Sequence, residues 1–280
     1  MAINKVGVIG SGIMGSGIAE VAAAAGCTVI VRSRSQATAD GMIAGLEKSL
    51  AKQVERGKKS QEDADALRAR VSATTSLKDL ADCDLVIESI VEDLATKKAL
   101  FNELDGVVKA SAIIATNTST LPVVEMAMQT ARPQNVCGVH FFNPATAMSL
   151  VEIVAPITAS EETIEAVTAF ATACGKDPVR VKDQAGFIVN ALLFPYLNHA
   201  VTLMENGVAT KEGIDSAMKG GCGFPMGPFA LLDLVGLDTS VAILDALYAE
   251  TKSPAANAAP TLRRMLAAGQ LGRKSGLGFY

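Results

Sequence analysis

The sequence predicts an α/β fold, a mainly parallel sheet with helices on both faces, followed by a C-terminal all-helical domain. Three observations predict it. Short β-branched runs alternate with helix-period segments through the first two thirds of the chain. The first of these runs leads directly into a Gly-rich turn that opens a helix. After Asp183 the helical periodicity continues and no convincing strand recurs.

The elements follow in order. Residues 4–9, NKVGVI, form a buried strand ended by Gly10, and the small apolar stretch Ile13 to Ala25 forms a helix that packs tightly on a sheet and stops at Gly26. Thr28 to Val31 is a second strand. Residues 36–70 read as a helical hairpin split near Gly57, with Leu46, Leu50 and Val54 at four-residue spacing. Further strands are expected at 85–88, 111–117, 136–142 and 150–154, with a helix through Phe101 and Leu104 after the third. Phe187, Leu193, Leu197, Val201 and Met204 then trace a helical stripe that Gly207 ends. More helices are expected at 210–219, 228–235, 239–251 and 260–268, with SPAANAAP at 253–260 as a loop. The domain boundary falls in VKDQAG, giving a dinucleotide-binding and catalytic domain over 1–184 and a helical domain over 185–280.

Composition narrows the function. The 280 residues are 49% apolar and 19% charged, enough for large cores. A net charge of -4, aromatics at 4% and no Trp argue against nucleic acid or an anionic membrane as partner. Five cysteines, at 27, 83, 137, 174 and 222, lack C-x-x-C spacing; they read as reduced thiols and give no metal site. Charged or Gly-rich segments interrupt every apolar run before it reaches membrane-spanning length, and MAINKVGVIGSG has no leader-peptide pattern. A soluble cytoplasmic protein is expected.

Gly10-Ser11-Gly12-Ile13-Met14-Gly15 is G-x-G-x-x-G between a strand and a helix, the context a dinucleotide loop requires. Gly10 permits the tight turn, Gly12 lets backbone approach a pyrophosphate, and Gly15 allows close helix–sheet packing. The helix N-terminus offers unpaired N–H donors to the phosphates. About 20 residues on, a carboxylate usually binds the ribose 2′-OH. Here the strand end reads Val31-Arg32-Ser33-Arg34-Ser35. A short hydroxyl flanked by two guanidinium groups suits a 2′-phosphate, so NADP(H) is expected to be preferred, with NAD(H) possible. Solvated loop arginines are the plainer alternative.

Seven segments together resemble the (S)-3-hydroxyacyl-CoA dehydrogenase family: GVIGSGIMGSGIAEVAAAAG, LVIESIVEDLATKKALF, ATNTSTLP, GVHFFNPATAMSLVEIV, DQAGFIVNALLFPYLNHA, GFPMGPFALLDLVGLDT and GRKSGLGFY. They run in order along nearly the whole chain. The resemblance implies a Rossmann-like first domain, a second domain that forms a homodimer, and an acyl-CoA substrate. The implied reaction is reversible reduction of a short 3-oxoacyl-CoA, typically acetoacetyl-CoA, to the (S)-3-hydroxy ester. It further implies His140 and Glu152 as the catalytic pair, Ser119 as a hydrogen-bond partner of the substrate's 3-oxygen, and Asn190 as the amide that orients substrate. Asn117 is placed on the nicotinamide side. Glu92, Lys97 and Lys274 match cofactor-contacting positions, and Ser49, Lys52 and Arg56 match positions that contact CoA.

The chemistry accords with these assignments. Reduction of a ketone by hydride leaves an oxygen that needs a proton, and imidazole exchanges one near neutral pH. A carboxylate on its other ring nitrogen fixes the tautomer. By residue pattern alone, a hydrogen-bonded core His and an edge-strand Glu read equally well. Likewise Ser119 and Asn117 suit a turn, Asn190 a helix cap, Glu92 and Lys97 a surface ion pair, and Lys52 and Arg56 a solvated helix face. His199 reads as structural. Two rival functions are a dehydrogenase of carrier-protein-bound 3-hydroxyacyl units and a nucleotide-binding relative without catalysis; the joint presence of His140, Glu152, Ser119 and Asn190 disfavours the latter.

Overall fold

The computed structural model describes residues 2–280, and the chain divides into two units, the first ending at Asp183 and the second spanning Gln184–Tyr280. In the first unit the order is β1 (Lys5–Ile9), α1 (Ile13–Ala24), β2 (Thr28–Arg32), α2 (Gln36–Glu55), α3 (Gln61–Ala69) and β3 (Val71–Thr74). Then come β4 (Leu85–Glu88), α4 (Leu94–Asp105), β5 (Ile113–Thr116), α5 (Val123–Ala127), β6 (Val136–Phe141), β7 (Leu150–Ala155), α6 (Glu161–Ala173) and β8 (Asp177–Lys182).

The eight strands form one sheet in the order β3-β2-β1-β4-β5-β6-β7-β8. All neighbours are parallel except β6 and β7, which are antiparallel. The chain winds outward from β1 to β3, then resumes beside β1 with β4, so the order reverses between β1 and β4. Every residue of β4, β5 and β6 is buried, as a sheet covered on both faces requires. Val6, Val8, Val29 and Val31 pack with Ile18, Leu46, Leu50 and Leu67 from α1, α2 and α3.

Two strands and two helices go beyond the expectation. β3 and β8 are the sheet's edges, where short, polar or charged sequences such as VSAT and DPVRVK are tolerated because one side faces solvent. α5 is a five-residue helix whose first two N–H groups, of Val123 and Val124, donate to Asp183 at 2.9 and 2.7 Å. α6 carries a legible signal that the expectation passed over: Ser160 caps it at Thr163, and Ile164, Val167 and Ala171 bury one face. The hairpin β6–β7 also departs from the parallel pattern. Its connection, residues 142–149, is shorter than the dozen residues a parallel crossover needs.

The second unit contains α7 (Val189–Glu205), α8 (Lys211–Cys222), α9 (Pro228–Val235), α10 (Leu237–Thr251) and α11 (Pro260–Ala267). Phe194, Leu197, Val201, Phe229, Leu232, Leu244 and Leu262 form its core. The buried Asn198 side chain ties α7 to the 253–260 loop: its amide nitrogen donates to the carbonyls of Ala255 and Asn257, and its oxygen accepts from Ala259 N at 2.8 Å. His199, one residue on, is exposed and takes no part in that core. Among the described residues no helix is long and apolar enough to cross a membrane.

Candidate active site

The C-terminal ends of β1, β2, β4, β5 and β6 carry most of the residues singled out in the first unit, on the edge of the sheet where doubly wound folds bind ligands. Gly10 has φ +111, and a Cβ there would collide with the carbonyl of Ser89 at the end of β4. A Cβ on Gly15 would strike the Gly10 carbonyl, so this glycine lets α1 lie against the loop. Around Gly12 nothing lies within 4 Å of a built Cβ. It caps α1 without a side-chain hydrogen bond, Ser11 is half-buried, and the Ile13 side chain is exposed over the helix start. Met14 packs down on the core. The result is a helix N-terminus with space above it and N–H groups directed outward, which fits a dinucleotide pyrophosphate.

At the end of β2 the three residues expected to read the ribose differ in setting. Ser33 is 1% exposed, and its Oγ has no hydrogen-bond partner among the described residues. Arg32 is half-buried and donates from Nε to Thr75 O at 3.3 Å, whereas Arg34 is exposed. A buried hydroxyl without a partner is uncommon in folded proteins.

β4 and β5 meet in a polar network. The Glu88 carboxylate is fully buried and accepts from Ile90 N at 2.6 Å, Thr116 Oγ1 at 2.7 Å and Lys97 Nζ at 2.7 and 2.8 Å. Lys97 Nζ also lies 3.2 Å from Glu92 Oε2. Glu92 Oε1 accepts from Thr118 Oγ1 at 2.5 Å, Ser119 N at 2.9 Å and Ser119 Oγ at 3.3 Å. Burial alone would raise the Glu92 carboxyl; the Lys97 charge and these hydrogen bonds outweigh it and hold the group below the usual carboxylate range. The alternative reading of Glu92 and Lys97 as a surface ion pair does not hold for Lys97. Lys97 is 1% exposed, and its three ammonium hydrogens are taken by three carboxylate oxygens. Glu88 was not singled out by sequence, although a carboxylate ending the apolar run LVI was a visible signal.

Asn117 joins β5 to β6, its Oδ1 accepting from Phe141 N at 2.8 Å. That bond holds the strand segment carrying His140. In the antiparallel register His140 stands directly opposite Glu152, so both side chains emerge on the same face. His140 Nδ1 lies 2.7 Å from Glu152 Oε2, with the side chains 8% and 1% exposed. The Phe142 ring tilts against the imidazole with centroids 4.5 Å apart. Because an ionised carboxylate only accepts, the bond assigns a proton to Nδ1, and Nε2 becomes the nitrogen whose protonation can change.

A cavity of about 280 Å³ lies beside α1 and α2, lined by Ser16, Gly17, Glu20 and Ser49 and by Asn143 and Ala145 of the β6–β7 turn. Ser49 Oγ donates to Glu20 Oε2 at 3.2 Å, while Lys52 and Arg56 are exposed on α2 and its C-terminal cap. Lys176, buried, closes this turn from behind by donating to the carbonyls of Ala145 and Met148 at 2.6 and 2.8 Å.

Two predicted residues stand in the second unit. Asn190 is buried in the first turn of α7, and Lys274 is ion-paired with Asp238.

Comparison with known proteins agrees with this geometry. Residues 5–184 match the family model described as 3-hydroxyacyl-CoA dehydrogenase, NAD binding domain, and residues 186–280 match that of the 3-hydroxyacyl-CoA dehydrogenase C-terminal domain. The chain is 45% identical over 276 residues to the 3-hydroxybutyryl-CoA dehydrogenase of Clostridioides difficile, covering 99% of this chain and 98% of that one. The crystal structure of Mycobacterium tuberculosis FadB2 superposes with a TM-score of 0.97 at 46% identity, covering 100% of this chain and 99% of the other. That of Ralstonia eutropha (S)-3-hydroxybutyryl-CoA dehydrogenase gives 0.97 at 39%, with the same coverage. With both family models matched end to end and the His140–Glu152 pair in place, the chain belongs to the 3-hydroxyacyl-CoA dehydrogenase family and is an oxidoreductase with a nicotinamide-cofactor domain.

Proposed function

We propose that this chain catalyses the reversible reduction of acetoacetyl-CoA, or a similarly short 3-oxoacyl-CoA, to the (S)-3-hydroxy ester, and prefers NADPH to NADH. The observation that carries the reaction is the buried His140–Glu152 pair at the end of β6, on the same sheet edge as the Gly10–Gly15 loop. A nicotinamide cofactor held by the Gly10–Gly15 loop would supply the hydride chemistry at C3. His140 gives a proton from Nε2 to the 3-oxygen in reduction and removes it in oxidation. Glu152 holds the Nδ1 proton and orients the ring. Ser119 and Asn190 orient the 3-oxygen and the acyl group, and Asn117 keeps the His140 strand in register.

The cofactor preference is supported by the absence of a carboxylate at the end of β2 and by Arg32 and Arg34, which flank Ser33 in sequence. Gly10 to Gly15 would hold the pyrophosphate. The loop after β4, with Glu92, and Lys274 are assigned to the cofactor side by the family pattern. Ser49, Lys52 and Arg56 are assigned to the CoA moiety, and the second unit to homodimer formation. Acetoacetyl-CoA turnover, followed by nicotinamide absorbance with each cofactor in turn, tests the reading. A higher kcat/KM with NADH removes the cofactor preference, and no turnover with either removes the reaction.

A further inference from the structure

The buried Glu88–Lys97 pair lies outside the proton-transfer chemistry, yet it is the most heavily bonded charged group at the sheet edge. Glu88 uses both oxygens. Oε1 fixes the loop after β4 through Ile90 N, and Oε2 fixes the end of β5 through Thr116 Oγ1. Thr116 Oγ1 in turn accepts from Thr118 N at 3.2 Å. Lys97 spans from Glu88 to Glu92, and Glu92 holds Thr118 and both the N–H and the hydroxyl of Ser119. Two carboxylates therefore share one ammonium, in a place where an unmatched charge is costly. A lone lysine–glutamate pair would suffice to join α4 to β4. The second carboxylate and its bonds to residues 118 and 119 are what a structural pair does not require.

We infer that Glu88 is a positioning residue for the reaction, acting through Lys97 and Glu92 to set the place and hydroxyl direction of Ser119. With Glu88 in place, Lys97 is held between the two carboxylates and Glu92 keeps Oε1 turned toward Ser119. Without the Glu88 charge, Lys97 swings onto Glu92 and competes for the oxygens that orient Ser119. In the arrangement seen here the Ser119 hydroxyl donates to Glu92 and its lone pairs face away, which suits a 3-hydroxyl donor. To donate to a 3-oxo group the hydroxyl must turn from Glu92, so the network sets how readily Ser119 switches between the two substrate forms. The inference rests on the reaction proposed above and on Ser119 touching substrate.

The test is a mutant cycle of E88Q, E92Q and E88Q/E92Q in the full chain, with kcat, KM for acetoacetyl-CoA, NADPH Kd by fluorescence titration and thermal midpoint measured for each. E88Q is expected to lower kcat about 10- to 100-fold, as for a misplaced reacting group, with KM changed by less than about threefold. In the E92Q background the same change is expected to cost less than about twofold, because its route to Ser119 is already cut. NADPH Kd is expected to show the same loss of effect in that background. Equal factors in both backgrounds, or an unchanged kcat in E88Q, overturn the inference. If E88Q does not fold, E88Q/K97M removes both buried charges together: a folded protein with reduced kcat supports the role, and a folded protein with native kcat overturns it. Wild type that does not turn over acetoacetyl-CoA with either cofactor sinks the reaction instead. The Kd cycle then still reports whether Glu88 works through Glu92.

Discussion

His140 and Glu152 face each other across the antiparallel strands β6 and β7, with Nδ1 2.7 Å from Oε2 and both side chains almost wholly removed from solvent. The H140A variant removes the imidazole that a buried carboxylate pairs with, which is expected to be destabilising. Most turnover is expected to be lost, together with a lower thermal midpoint. H140A/E152Q is expected to regain much of the midpoint but none of the turnover. Near-native kcat in H140A defeats the catalytic role, and a double variant no more stable than the single one defeats the pairing argument.

The ribose end of the cofactor cleft gives a specificity prediction. R34Q removes an exposed guanidinium one residue beyond Ser33, at the end of β2. It is expected to lower kcat/KM for NADPH about tenfold, the size of one charge-assisted bond, and to change that for NADH less than twofold. Equal losses with both cofactors mean that the arginine does not read the 2′-phosphate.

Lys52 and Arg56 stand exposed beside the half-buried Ser49. K52E/R56E is expected to raise KM for acetoacetyl-CoA by about tenfold while kcat falls less than twofold, since contacts to a remote anionic moiety act on binding. The KM increase should shrink at high salt, as screening removes the attraction. An unchanged KM at low salt assigns these side chains to solvent.

Asp84 ties the start of β1 to the start of β4. It accepts from Asn4 N and Lys5 N at 2.9 Å each, and from Lys109. Burial alone would raise its carboxyl, but these bonds prevail and hold it below the ordinary value. A depressed native pKa contributes stability above the unfolded-state value of about 3.9, and that stability is lost as pH falls through the native value. D84N is expected to lower unfolding free energy at pH 7 by about 1–3 kcal/mol, the range for hydrogen bonds to a charged group. In denaturant titrations the gap to wild type should close as the pH drops below about 4. A gap that stays constant to pH 2 contradicts the sign.

The end of the second unit is fastened by buried carboxylates. Asp233 accepts from Phe279 N and Tyr280 N at 2.8 and 2.9 Å, and Asp215 accepts from the Tyr280 hydroxyl at 2.9 Å. Burial and then the Asp215 bond push the Tyr280 phenol up to about 12. A Cβ on Gly278 would collide with Asp233. G278A is expected to destabilise the protein by about 1–3 kcal/mol through overpacking. Calorimetry of G278A against an exposed control such as G220A, whose Cβ meets nothing within 4 Å, separates this collision from loss of helix-independent chain entropy.

Local pattern was enough for much of the molecule. The strand–turn–helix of residues 5–24 showed in its β-branched run and three spaced glycines, because backbone sterics act within a few residues. The helical stripes of α7 and α9–α11 showed for the same reason. The edge strands β3 and β8 did not, since an edge needs neither apolar alternation nor burial and takes its strand geometry from its neighbour. Residue types at 140 and 152 offered a candidate acid–base pair, but a histidine and a glutamate twelve positions apart are equally compatible with separate structural roles.

Residue pattern was therefore sufficient for the type of each central element, the glycine loop and the identity of the chemistry-bearing side chains. Which of them meet follows from the packing of the folded chain. The antiparallel turn of β7 puts Glu152 opposite His140, and burial draws Lys97 away from the surface to lie between Glu88 and Glu92. Both outcomes depend on long-range strand pairing and on desolvation, and neither quantity is written in the spacing of residues along the chain.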